Sequence, residues 1–83
     1  MIREYINAAL KNAHYEIIDD EEPYYGEIPE LSGVWATGKT LEECRNNLSD
    51  NLEGWILMRN SLDMDIPAID GYKVTTPKVM KVA

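Results

Sequence analysis

Between Leu41 and Leu62 the apolar positions return at three- and four-residue steps: Leu41, Cys44, Leu48, Leu52, Trp55, Ile56 and Leu62, with Arg59 the one charged interruption. That spacing lines one face of an α-helix, and Glu42, Glu43, Asn46, Asn47, Ser49, Asp50 and Glu53 fall opposite. Thr40 followed by Glu43 is a capping box: the threonine oxygen can accept from the amide of position 43, and the carboxylate can reach back to the amide of position 40. Gly38 gives the chain freedom to turn sharply out of the preceding segment. At the other end stands Asp63-Met64-Asp65-Ile66-Pro67. A residue preceding proline is driven into an extended conformation, so the helix should stop by about Asp65.

The pattern before this helix changes from a period of three to four to a period of two. His14–Asp19 is rich in aromatic and β-branched residues and predicts a strand. Asp19–Pro23 is a turn, Tyr24–Ile28 a second strand, Pro29–Gly33 a second turn with Gly33 at its end, and Val34–Thr37 a third strand. The three form an antiparallel meander that runs directly into the helix cap. Alternation places Tyr15, Ile17, Tyr24, Gly26, Ile28, Val34 and Ala36 on one face, for the helix to cover. Tyr25 and Trp35 then lie on the other face, which suggests that the N-terminal helix, a second subunit or a partner covers it.

The two ends of the chain carry weaker signals. Ile2, Ile6, Ala9, Leu10 and Ala13, with Tyr5 beside them, make a thin helical stripe over residues 2–13, expected at the edge of the core or against a second subunit. After the long helix, Ile69-Asp70-Gly71-Tyr72 is a turn, and residues 72–74 and 78–82 are strand candidates separated by Pro77. The expected architecture is α+β: a three-stranded antiparallel meander packed on one long helix, a short N-terminal helix and a possible extra C-terminal strand.

Composition narrows this further. Eighty-three residues make one small domain, in a range where folding buries only roughly 60–65% of the unfolded surface, so self-association or a partner is a reasonable expectation. A single cysteine excludes an intrachain disulfide framework. Neither a signal peptide nor an apolar membrane span is expected, and the chain reads as cytoplasmic. The net charge of −7 is strongly localised. Residues 12–38 hold seven acids (Glu16, Asp19, Asp20, Glu21, Glu22, Glu27, Glu30) and no lysine or arginine, whereas eight acids and eight bases balance elsewhere. Such a field repels nucleic acid and attracts basic protein surfaces, although carboxylates at a hairpin edge also serve solubility alone.

Candidate chemistry is sparse. His14 is the sole histidine and reads as an ordinary strand-start residue; Cys44, on the apolar helix face, reads as a buried and inert thiol. One histidine and one cysteine do not make a zinc site, and Asp19–Glu22 lacks the spaced oxygens and glycine turn of a calcium loop. Lys39 beside Gly38 and Thr40 lacks the spacer of a phosphate loop. Gly54, inside the helix, costs about 1 kcal/mol relative to alanine and either permits close approach of another backbone or is tolerated. No cofactor, metal or catalytic residue is expected.

The ordered series from Tyr24 to Cys44 — aromatic strand, Pro29-Glu30-Leu31-Ser32-Gly33 turn, third strand, then Gly38-Lys39-Thr40-Leu41-Glu42-Glu43 opening the helix — resembles HicB-like antitoxins. The similarity spans about residues 14–67, Ile66-Pro67 included, and the N-terminal helix resembles short, stand-alone members. The resemblance implies a degraded ribonuclease-H-like fold and a protein that binds and silences a small basic ribonuclease toxin, HicA. Many HicB antitoxins add a C-terminal DNA-binding domain. Only 16 residues follow Pro67 in this sequence, so no direct contact with nucleic acid is expected.

With that resemblance, the acidic meander becomes the expected docking surface. Glu16, Asp19, Asp20, Glu21, Glu22 and Glu27 would steer a basic partner while Tyr24, Tyr25 and Trp35 supply apolar contact; Gly33, Gly38, Thr40 and Glu43 would be structural. A homo-oligomer is expected. A stand-alone oligomeric HicB-like domain with another protein or ligand partner is the alternative. A metal-dependent nuclease using Asp19, Glu43 and Asp70 is a third reading that no spacing supports.

Overall fold

A computed structural model describes residues 2–74 of the chain. Helix α1 (Ile2–Lys11) buries Tyr5, Ala8 and Ala9, a spacing of three and four. Its face is therefore rotated from the expected stripe: Tyr5 lies at the centre and Ile2 is exposed. The tyrosine decides this rotation. Its ring fills the core while its hydroxyl donates to the Pro67 carbonyl at 2.6 Å, so the large apolar body and the polar tip are both satisfied. α1 packs against the long helix, so it does not cover the outer face of the sheet.

Three short strands follow, β1 (His14–Ile17), β2 (Tyr24–Glu27) and β3 (Trp35–Gly38), in the antiparallel order β1-β2-β3. Tyr15 opposes Gly26, which opposes Ala36. Pairing continues past the strand ends, with Ile18 N donating to Pro23 O (2.8 Å) and Ile28 N to Val34 O (3.1 Å). Both turns have local causes. Asp20 Oδ2 accepts from the Glu22 amide at 3.1 Å, and Gly33 holds a φ of 90°, a left-handed conformation that glycine adopts without steric cost. Within the second turn Leu31 is fully buried beside Ile28 and Val34, although it lies outside any strand.

Helix α2 (Leu41–Ser61) covers the Tyr15–Gly26–Ala36 face of the sheet, as alternation predicted, and buries Cys44, Leu48, Leu52 and Ile56. Removing Leu48, Leu52 and Ile56 from water contributes about 1.5–3 kcal/mol each. The helix overruns the sheet at both ends, so Leu41 and Leu62 are exposed rather than part of the covered stripe. It lies chiefly over β3 and β2, which leaves Ile17 at the far edge 74% exposed despite its place on the covered face. Arg59 has its own explanation. Its guanidinium sits 4.6 Å from the Trp55 ring centroid and donates to the Asp65 carbonyl at 3.0 Å, so a charge on the apolar side ends in a polar seat.

The capping box forms with one change. Glu43 N donates to Thr40 Oγ1 at 3.0 Å, but Glu43 Oε2 accepts from the Lys39 amide (2.9 Å), one residue earlier than expected. Gly38 serves space rather than a sharp turn: a Cβ there would stand 2.4 Å from Cys44 N and 2.7 Å from Cys44 Cα. At the C-terminus the helix stops at Ser61 before the influence of Pro67 is felt. Asp63 takes a φ of 59°, while Met64 N donates to Arg59 O and Asp63 N to Asn60 O, the paired bonds of a Schellman motif.

Beyond α2 the Ile69–Tyr72 turn is tight. Asp70 and Gly71 have φ of 51° and 83°, and Ile69 and Tyr72 exchange both backbone hydrogen bonds, as in a two-residue hairpin turn. Asn12 Nδ2 ties this turn to α1 by donating to Asp70 Oδ2 (2.9 Å) and Ala8 O (2.8 Å). Lys73 and Val74 continue without strand structure, and the candidate strand at 78–82 lies outside the described residues.

Two glycines carry opposite expectations. Gly38→Ala forces a methyl into helix backbone that has no rotamer to yield and should lower stability by about 2–3 kcal/mol. Gly54→Ala meets nothing within 4 Å and should raise stability by about 0.5–1 kcal/mol through helix propensity. Urea unfolding midpoints of the two variants check both signs.

Candidate protein-binding face

The outer face of the meander is built by period-two alternation. His14, Glu16, Tyr25, Glu27, Trp35 and Thr37 point away from α2, with His14, Glu27 and Trp35 in one cross-strand row and Glu16, Tyr25 and Thr37 in the next. Tyr25 and Trp35 stack with centroids 6.2 Å apart and planes inclined by 25°, and Trp35 remains 53% exposed. The Tyr25 hydroxyl donates to Glu27 Oε1 at 3.1 Å. Desolvation pushes the Tyr25 phenol above its ordinary value of 10.0; the bond to Glu27 and the charges of Glu27 and Glu16 push the same way. The phenol is thus a neutral donor at physiological pH, fixed between an indole and a carboxylate.

The expected docking residues divide into four placements. Glu16, Tyr25, Glu27 and Trp35 share the outer face. Asp19, Asp20 and Glu21 are exposed in the turn between β1 and β2. Glu22, from the same turn, accepts from Thr37 Oγ1 at 2.5 Å and lines a groove between β3 and α2 with Trp35, Asn47, Asp50 and Asn51. Tyr24 is separated from all of these: it is aligned with Ile17 and Gly38, on the face turned toward α2.

The sequence reading missed a pair of amides. Asn47 Nδ2 donates to Thr37 O at 2.9 Å and Asn51 Nδ2 to Trp35 O at 2.8 Å. These carbonyls point away from β2, so two side chains one helical turn apart occupy the outward acceptors of β3. Their sequence signal is asparagine at i and i+4, each one residue before a buried leucine. That position borders the buried stripe and is where a side chain can reach a sheet edge.

The candidate reactive groups have structural explanations. Burial, chiefly, and the charge of Glu22 raise the Cys44 thiol above its ordinary 9.0, and its Sγ lies 3.6 Å from Ala36 O, in keeping with an inert thiol. Glu43 is committed to the α2 cap and Asp70 to Asn12. Among the described residues no cluster of three His, Cys, Asp or Glu side chains is placed to hold a metal ion, so Asp19, Glu43 and Asp70 are not such a group. No helix among the described residues is long and apolar enough to cross a membrane.

The architecture is that of an α+β domain, a three-stranded antiparallel meander backed by one long capped helix, with its acids concentrated on the meander. The chain belongs to the UPF0150-like family, which it matches over residues 4–67. Its structure is similar to the crystal structure of TTHA0281 from Thermus thermophilus, with 47% sequence identity, 92% of this chain and 94% of that chain covered, and a TM-score of 0.86. No curated protein matches the sequence.

Alkali should weaken this fold. Tyr5, Tyr15, Tyr25 and Cys44 are all raised in the native state, desolvation being the first cause for each. Once pH passes the ordinary values of 9.0 for the thiol and 10.0 for the phenols, the unfolded chain binds fewer protons than the native one. Stability then falls as pH rises, and the contribution is complete below pH 9. Urea midpoints measured from pH 7 to 11 should be flat at first and decline above pH 9; a rise there would contradict the desolvated phenols.

Proposed function

We propose that this chain is a HicB-like antitoxin module that binds a small basic ribonuclease toxin of the HicA type and silences it. The charge pattern carries the reading: seven carboxylates and no lysine or arginine between residues 12 and 38, on a meander whose outer face presents an exposed indole. An RNA-cleaving enzyme must offer cations to phosphate. An acidic surface competes for those cations and accelerates encounter, while the Tyr25–Trp35 pair supplies the apolar area that holds a complex. The order of turn, third strand, Gly38, capped Thr40 and Glu43 matches the HicB-like pattern in sequence and supports the same reading. The module performs no catalysis; it acts in the cytoplasm by occupying its partner.

The test is direct. Asp19→Lys with Glu21→Lys reverses two exposed turn charges. Affinity for a HicA-type toxin should fall at least tenfold, about 1.4 kcal/mol or more, and its dependence on salt should flatten. Unchanged affinity and unchanged salt slope would remove charge steering from the proposal. Trp35→Ala should accelerate dissociation while leaving the salt slope intact.

Self-association accompanies this reading. Leu57, Met58, Leu62 and Met64 are all exposed at the C-terminal end of α2, with Leu57 at 63% and Leu62 at 61%. These apolar side chains follow one another closely along the chain and favour contact with a second copy. Sedimentation should show an oligomer that Leu57→Glu with Leu62→Glu dissociates.

A further inference from the structure

The two edges of the sheet are not equivalent. Because Ile18 pairs with Pro23, and Ile28 with Val34, the even-numbered residues of β1 and β3 direct their backbone groups toward β2. The odd-numbered residues therefore face outward: Tyr15 and Ile17 on β1, Trp35 and Thr37 on β3. On β3 both outward carbonyls accept side-chain amides, from Asn51 and Asn47. A strand approaching that edge would meet α2 side chains already bonded to the acceptors it needs. On β1, among the described residues, no strand pairs with the outward side of Tyr15 and Ile17. Charged side chains and covering elements are the usual protection of an edge; among the described residues β3 has a cover of asparagines and β1 has only charge.

We propose that the open β1 edge receives an extended segment of the basic partner as a fourth strand. The inference rests on the reading of a basic partner given above and specifies how such a partner would be held. Backbone N–H and C=O groups of Tyr15 and Ile17 supply the ladder, and flanking side chains select the sequence. On the outer face an added strand lies beside His14 and Glu16, with the exposed acids Asp19, Asp20 and Glu21 of the following turn at the end of the ladder. On the other face it lies beside Tyr15 and Ile17, the latter 74% exposed. The matching segment alternates lysine or arginine with β-branched apolar residues. Its basic side chains face Glu16 and the acidic turn, and its apolar ones cover Ile17. The positive charge of Arg45 on α2 is felt at Tyr15, on the covered face, which further assigns the basic side chains to the outer one.

The probe is a short synthetic peptide alternating lysine and valine, compared with the same peptide N-methylated at alternate residues, which keeps the charge but blocks one side of its ladder. The unmodified peptide should bind and slow amide hydrogen exchange at Tyr15 and Ile17 while leaving Trp35 and Thr37 unchanged. The methylated peptide should bind at least tenfold more weakly. Ile17→Pro removes an outward donor from an edge strand, where proline is compatible with the fold, and should lower peptide affinity at least tenfold. Circular dichroism and the urea midpoint of this variant verify that it folds; Ile17→Glu, which keeps the donor, provides a second measure by its effect on the apolar side. Equal binding of the two peptides, or protection at Trp35 and Thr37 instead, overturns the inference. So does protection of Tyr15 and Ile17 that appears without peptide and grows with protein concentration, since a second copy then occupies the edge. A basic ribonuclease that binds the Ile17→Pro variant as tightly as the native chain overturns strand addition and leaves the broader reading standing. A failure of any basic ribonuclease to bind, with the peptide results as expected, does the reverse.

Discussion

The helix α2 can lie on the sheet only because two positions beneath it carry no side chain. At Gly38 a methyl would intrude on the Cys44 backbone, and at Gly26 it would stand 2.7 Å from the Tyr15 ring and 3.3 Å from Cys44 Sγ. These contacts fix the height of the first helical turn above β2 and β3. With that height set, Cys44, Leu48, Leu52 and Ile56 reach the core in succession, and Tyr5 of α1 closes it from the other side. The Thr40 cap acts at the same place. It fixes the N-cap two residues beyond Gly38, so register and height are determined together.

Covering one face this closely determines what remains uncovered. A helix that sits over β3 and β2 leaves the end of β1 bare, and a meander with α1 placed against α2 leaves its whole outer face without a cover among the described residues. The carboxylates occupy both regions left open in this way, the outer face and the β1–β2 turn. A solvated hairpin edge would need charge for solubility. It would not need an exposed tryptophan stacked on a tyrosine whose hydroxyl is held by a neighbouring carboxylate. Charge for encounter beside a fixed aromatic surface for contact is the combination on which the proposed binding role rests.

The parts legible in the sequence were those set by local periodicity and local chemistry. Alternation through Tyr15, Gly26 and Ala36 gave the covered face, and Thr40 with Glu43 gave the start of α2. Ile69-Asp70-Gly71-Tyr72 was legible as a turn, and the structure adds that it is of the two-residue hairpin kind. The misreadings arose where distant residues decide. The rotation of α1 depends on Tyr5 reaching Pro67, 62 positions away, and no helical stripe can register that partner. Leu41 and Leu62 belong to the helical stripe but extend past the sheet, whose length is set by strands only four residues long. Leu31 is buried because its turn folds back on the core, against the ordinary expectation that turns are solvated. Asn47 reads as part of the polar face and Asn51 is assigned to neither face, because their partners are backbone carbonyls, which leave no mark in the side-chain pattern.

Those asparagines also explain why the acidic face has a direction. A three-stranded sheet has two edges and no intrinsic preference between them. The helix removes this symmetry, since the residues that anchor it to β3 also occupy the acceptors of β3. A strand-like partner of the kind proposed is left with β1, the edge bordered on its outer face by Glu16 and at its end by Asp19, Asp20 and Glu21. Under the proposed strand addition, anchoring and selectivity share one cause: the amides that hold the helix to one edge leave the other, unpaired among the described residues, as the place where backbone pairing and negative charge coincide.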